Sequence, residues 1–219
     1  MKKGFTLAEV LITMSIIAVV ALLTLPSIIK NYRHKIYAST LKQTISQLED
    51  AIKSSMADEN ATSFIQSTGA IENDCTGKGT GPCYLFNNYL KTSFICGSSD
   101  KRCVAPDNYK SLKGDATLPM WGADRCGKLP NGATVCMVYN DIGMNSITHV
   151  AIDVNGPDVP NIIGIDLFTG RISSNGSIVD NDSNPDHCGE EIGDWGHVND
   201  YSYGCLTKVI KNGWVIKDN

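Results

Sequence analysis

The chain has 219 residues, a formal net charge of −4 and eight cysteines. Its acidic balance excludes a general affinity for nucleic acid or for an anionic lipid surface. Its length leaves one globular domain once the apolar start is set aside.

Residues Phe5 to Leu25 form an apolar run of 21 positions whose only charge is Glu9. At about 1.5 Å per helical residue, and with roughly 20 residues needed to cross a bilayer core, the run is long enough to span. A carboxylate inside such a helix costs on the order of 3 kcal/mol and calls for a partner. Glu9 lies one turn after Phe5. A cut between Gly4 and Phe5 would therefore place a new amine beside this acid, or beside the Glu9 of a neighbouring copy. A secretory signal fits poorly, because its apolar region is about 7 to 15 residues long and precedes an Ala-x-Ala-like site. Here the charged segment Lys30 to Lys35 follows instead.

The order Lys2-Lys3-Gly4-Phe5-Thr6-Leu7-Ala8-Glu9, then the apolar run and Pro26, resembles the class III leader of type IV pilins and type II secretion pseudopilins. The resemblance implies cleavage by a prepilin peptidase after Gly4, N-methylation of Phe5, and Glu9 as the acid that docks subunits. It divides the chain into a leader (1–4), a transmembrane helix (5–25), an amphipathic extension (26–57) and a globular domain (58–219). It also implies a single pass through a bacterial inner membrane, with the domain outside the cytoplasm and then in a periplasmic or cell-surface filament. The partners would be identical or related subunits, the peptidase, the inner-membrane assembly machinery and membrane lipid. Loss of Lys2 and Lys3 with the leader takes the net charge from −4 to −6.

Beyond Pro26, apolar residues recur at Ile28, Tyr32, Ile36, Leu41, Ile45, Leu48, Ile52 and Met56. This spacing predicts that the helix continues with one apolar stripe toward a domain. Pro26 lacks an N–H and is expected to kink the helix or let it unwind locally. By the resemblance it also has an assembly role.

Residues 58–130 are rich in Gly, Lys and Cys turns and read as a disulfide-braced region with little regular structure, apart from a short helix at Tyr84–Leu90. From Ala133 onward, ATVCMVYN, SITHVAIDV and NIIGIDLF, with a further run near Arg171 to Ser173, predict an antiparallel meander of three or four strands. One face of it should cover the helix stripe. The fold class is α+β, pilin-like, with a long helix on a small antiparallel sheet. Residues 173–203 read as an exposed loop region, and the tail as a short helix through Val209 and Ile210 followed by a strand at Trp214–Ile216.

All eight cysteines, Cys75, Cys83, Cys96, Cys103, Cys126, Cys136, Cys188 and Cys205, follow the apolar run. An even set on one side of a membrane predicts up to four disulfides in an oxidising compartment. Proximity ranks Cys75 with Cys83, Cys96 with Cys103, Cys126 with Cys136, and Cys188 with Cys205. No Cys-x-x-Cys pair supports zinc, and His187 and His197 read as loop histidines.

One stretch invites a chemical reading. Asp153, Asn155, Asp158 and Asp166 could present oxygens to calcium, but Asn155-Gly156 with Pro157 and Pro160 also describes a plain strand connection. The spacing is not that of an EF-hand. No nucleophile constellation or phosphate loop occurs, which argues against an enzyme, a membrane-tethered one included. Two non-catalytic functions stand: a filament subunit, or a pilus-tip binding module (adhesin or DNA-uptake receptor) that uses the helix as an anchor.

Overall fold

A computed structural model of the chain describes residues 4, 6–105, 109–114, 117–118, 123, 125–140, 146–190, 192–194, 197–200 and 202–217. Helix α1 runs unbroken from Leu7 to Asp58. The hydroxyls in its apolar half bond to the helix itself. Thr13 donates to the Val10 carbonyl (3.0 Å), Ser15 to Leu11 (2.8 Å) and Thr24 to Val20 (2.9 Å). Each polar side chain is thereby satisfied without leaving an apolar surface. Pro26 lies inside α1 without interrupting it, so the expected local unwinding is not found. Its missing N–H removes a single rung, and the turns on either side remain.

The domain covers α1 only from His34 onward, burying His34, Ala38, Leu41, Thr44, Ile45, Leu48, Ala51, Ile52, Ser55 and Met56. Ile28, Tyr32 and Ile36, expected on the same stripe, are 59, 64 and 44 % exposed. The five-residue step from Ile36 to Leu41 accounts for the difference: it turns the stripe by about 140°, whereas a four-residue step turns it by about 40°. Ala38 and His34 occupy the covered line instead.

Two short 3-10 turns, Phe64–Gln66 and Thr68–Ala70, precede helix α2, Gly81–Asn88. α2 starts three residues before the expected Tyr84, because Pro82 in its first turn has its φ preset for a helix. The strands that follow are β1 (Phe94–Cys96), β2 (Tyr109–Lys110), β3 (Thr117–Leu118), β4 (Arg125–Lys128), β5 (Thr134–Asn140), β6 (Ser146–Asp153), β7 (Leu167–Ile172), β8 (Ile178–Val179), β9 (Ile192–Asp194) and β10 (His197–Asp200). Among the described residues, six form one antiparallel sheet in the order β1-β4-β5-β6-β7-β8, while β2 pairs with β3 and β9 with β10.

The sheet departs from the sequence expectation in three places. The run NIIGIDLF is not a strand along its length: β7 begins only at Leu167 and absorbs the run expected at Arg171. Asn161 and Gly164 take positive φ (55° and 83°), and the Ile162 carbonyl accepts the N–H groups of Ile165 and Asp166, which makes a turn there. The region 58–130, read as loops, supplies β1 and β4 to the sheet. The region 173–203 likewise contributes β8 to the sheet, and β9 and β10, which pair with each other.

Both faces of the sheet centre are buried. Gly127, Val135, Ile152 and Phe168 share a rung and a face, and the missing Cβ of Gly127 makes room for the Phe86 ring of α2. On the opposite face Thr134 donates to the Cys103 carbonyl (2.8 Å) and Thr169 to the Ser202 hydroxyl (2.5 Å). Thr134, Val135, Cys136 and Met137 are consequently all fully buried. Ala38, Leu41, Ile45, Leu48, Ala51, Ile52 and Met56 of α1 belong to the same apolar cluster as Val135, Ile152 and Phe168. Helix α3, Cys205–Lys211, packs near β7 and stops at Asn212-Gly213. The expected strand at Trp214–Ile216 is absent among the described residues. Trp214 has φ 63°, and its ring instead receives the Lys42 ammonium of α1 at 5.6 Å.

Candidate functional site

The head of α1 is built by four consecutive residues. Thr6 is the N-cap: its hydroxyl accepts from the Glu9 N–H (3.3 Å), and Glu9 Oε2 accepts from both the Thr6 N–H and the Thr6 hydroxyl at 2.8 Å. The sequence Thr6-Leu7-Ala8-Glu9 is thus a capping box that satisfies two otherwise orphaned donors. It also fixes the Glu9 carboxylate at the positive end of the helix dipole. Thr6 was overlooked in the sequence, although a threonine followed three residues later by glutamate is the signal for such a box. Gly4 is exposed and has nothing within 4 Å of the place a Cβ would occupy. Phe5, the expected methylation site, lies outside the described residues. The apolar half of α1 is long and apolar enough to cross a membrane, and none of that window is buried against the domain.

The expected oxygen-rich loop lies between β6 and β7. Asp153 and Asp166 are fully buried, and their carboxylates are engaged by the chain around them. Asp153 accepts from the Tyr109 hydroxyl and from the Asn155 N–H (3.2 Å). Asp166 accepts from the N–H groups of Asn161 (2.7 Å) and Ile162 (2.6 Å). The Asn155 amide donates to the Asp158 carbonyl at 2.6 Å. Burial pushes the Asp153 carboxyl well up, opposed by its hydrogen bonds, and raises Asp166 to about 6. Burial raises the Tyr109 phenol too, with Asp153 adding to the effect.

Lys128, at the end of β4, brings its ammonium over Gly156, into the place where a Cβ would stand. Desolvation lowers its pKa against the pull of Asp153 and Asp158. Tyr109 and Lys128 carry no sequence signal that links them to this loop; only the tertiary fold brings them there.

An oxygen-rich donor set suits calcium in kind. Here the two buried carboxylates already hold backbone or phenol donors, and Asp158 is exposed. Among the described residues, the amide oxygens of Asn155 and Asn161 are buried without a hydrogen-bond partner. Among the described residues no three His, Cys, Asp or Glu side chains are grouped to hold a metal ion. The arrangement fits a hydrogen-bonded strand connection better than a cage of six to eight oxygens.

Each disulfide joins nearest neighbours in sequence: Cys75–Cys83, Cys96–Cys103, Cys126–Cys136 and Cys188–Cys205. Cys96, Cys126 and Cys136 stand on one rung across β1, β4 and β5. His187 pairs through Nδ1 with Asp182 Oδ2 at 2.5 Å, and His197 lies in β10 opposite Asp194. Asp180 accepts from the N–H groups of Gly204 (2.9 Å) and Thr207 (2.7 Å), and so caps α3 from a distance.

The family model for the prokaryotic N-terminal methylation motif matches residues 1–25. That motif is the signature of type IV pilins and pseudopilins. No curated protein and no solved structure matches the chain.

Proposed function

We propose that this chain is a structural subunit, pilin or pseudopilin, of a type IV pilus or type II secretion filament. Prepilin peptidase cuts it after Gly4 and methylates Phe5, and the helix holds it in the inner membrane until assembly. The observation that carries this reading is the matched motif at the head of a helix whose apolar half its own domain leaves bare. In a filament those bare halves pack on one another, and Glu9 pairs with the Phe5 amine of an adjacent subunit. The Thr6 donors keep the acid oriented before that partner arrives. The outer domain, braced by its disulfides, decorates the filament outside the cytoplasm. Assembly of this kind calls for no cofactor.

Mass spectrometry of the purified protein's amino terminus tests the processing, since a chain beginning at methylated Phe5 is expected and a native chain that keeps residues 1–4 refutes it. Glu9→Val tests the pairing. The variant should insert into the membrane as the parent does but fail to enter filaments, and normal incorporation would refute the role given to Glu9.

A further inference from the structure

Charge is divided along α1. From Val10 to Leu48 the helix carries no acid, while Lys30, Arg33, Lys35 and Lys42 all fall in that stretch. Apart from Glu9, every acid of the chain lies from Glu49 onward. Arg33 and Lys35 are exposed on either side of His34, the first residue of α1 that the domain buries. Among the described residues no acid forms an ion pair with either. Lys30 has a further interaction within the chain, so Arg33 and Lys35 are the two cations that matter. The acids begin where these cations end: Tyr37, one turn beyond Arg33, is in electrostatic reach of Arg33 and also of Asp153, Asp158 and Asp166 around the β6–β7 loop.

Two residues apart on a helix, Arg33 and Lys35 project about 200° apart around the axis. One flat partner cannot meet both, whereas a layer of headgroups surrounds a helix on every side. Helical side chains lean toward the N-terminus of their helix, which here is the direction of the apolar half. With residues 5–25 in the bilayer core, the Arg33 and Lys35 backbones stand about 12 and 15 Å beyond Leu25. Side chains about 6 Å long lean back from there toward a headgroup layer about 5–7 Å thick. Arg33 thereby reaches the phosphates, and Lys35 comes within one screening length of them, about 8 Å. Tyr32, 64 % exposed, adds the amphipathic ring that such an interface favours.

We propose that Arg33 and Lys35 form a cationic collar that binds the phosphates of anionic phospholipids in the leaflet on the domain's side of the membrane. It rests on the reading of residues 5–25 as membrane-spanning. Each contact is a charge-assisted hydrogen bond or a close ion pair. The collar gives a chain that is acidic overall a local hold on a surface that its domain would only repel. It also fixes the depth at which the helix rests, and is given up when a subunit leaves the bilayer.

The test uses the full-length chain reconstituted into vesicles of equal parts phosphatidylglycerol and phosphatidylcholine. Resistance to alkaline extraction reads insertion. Lipid that stays with the chain after mild detergent extraction, counted by mass spectrometry, reads headgroup preference. The parent should insert and retain phosphatidylglycerol several-fold over phosphatidylcholine. Arg33→Gln combined with Lys35→Gln should insert equally and lose most of that preference. Arg33→Lys alone should keep it, and added salt should weaken it. Lys2 and Lys3 lie at the opposite end of the helix and are the same in every chain, so the difference belongs to the neck. The proposal is overturned if the parent inserts without a preference, or if the double variant keeps the parent's. It is overturned too if the double substitution breaks up a dimer of the chain and leaves the lipid ratio unchanged, since a second copy is then the occupant. Failure of the parent to insert would refute the membrane reading itself, and the collar with it.

Discussion

Replacing Asp166 with asparagine should reduce a gain in stability that the parent shows on mild acidification. The Asp166 carboxyl is held at about 6 in the folded chain, against an ordinary value of 3.8, with burial as the main cause. As the pH falls, the folded state therefore binds this proton before the unfolded state does, and stability rises. The unfavourable charged form prevails above pH 6, is relieved as the pH falls through 6, and stops mattering below about 3.8, where both states are protonated. Between pH 7 and pH 5 the relief amounts to about 1.4 kcal/mol for this one group. Asp153, raised by burial as well, acts in the same direction. Asp74, Asp100 and Asp182 act oppositely, but their hydrogen bonds hold them below the usual carboxylate range, so their losses begin below this window. An asparagine at position 166 offers one oxygen to the two N–H groups of Asn161 and Ile162, and costs stability at every pH for that reason. That constant cost cancels when each chain is compared with itself. Urea titration at pH 7 and pH 5, followed by tryptophan fluorescence, gives the two differences. A parent no more stable at pH 5, or a variant that keeps the parent's gain, would refute the reasoning.

Leu48 is fully buried between α1 and the domain, and Leu48→Ala should cost about 3 kcal/mol in the same titration through the cavity it leaves. Leu11, 57 % exposed on the bare half of α1, should tolerate alanine with no change in the domain's midpoint; equal losses at the two sites would refute the division of the helix. Because the Asp153 and Asp166 carboxylates are already engaged, adding calcium or a chelator should leave the midpoint unchanged. A calcium-dependent rise would show that the Asn155 and Asn161 oxygens recruit an ion.

The elements whose apolar pattern decides them locally were legible in the sequence. α1, β5 and β6 follow from periodicity, and the α+β class follows from them. β4 was not legible, because Arg125-Cys126-Gly127-Lys128 contains no β-branched residue. It is a strand because its neighbours pair with it and because Gly127 lets Phe86 approach. The run Asn161–Phe168 looked extended from its isoleucines, yet Asp166 gathers the N–H groups of Asn161 and Ile162 and holds the chain in a turn. A buried acid 13 residues after Asp153 is not a local signal. At the head of α1 the order of residues carried the chemistry, and the capping box refines it with a threonine whose role is geometric.

The point at which the domain takes hold of α1 sets a clearance. With Phe5 to Leu25 in the bilayer as proposed, and coverage beginning at His34, the intervening turns span about 12 Å. Electrostatic repulsion in physiological salt decays over about 8 Å. Headgroups fill about 5–7 Å of that span, so the acidic head stands on a short pedestal about one screening length above the phosphates, where their repulsion is weakened and steers the domain away from the surface below.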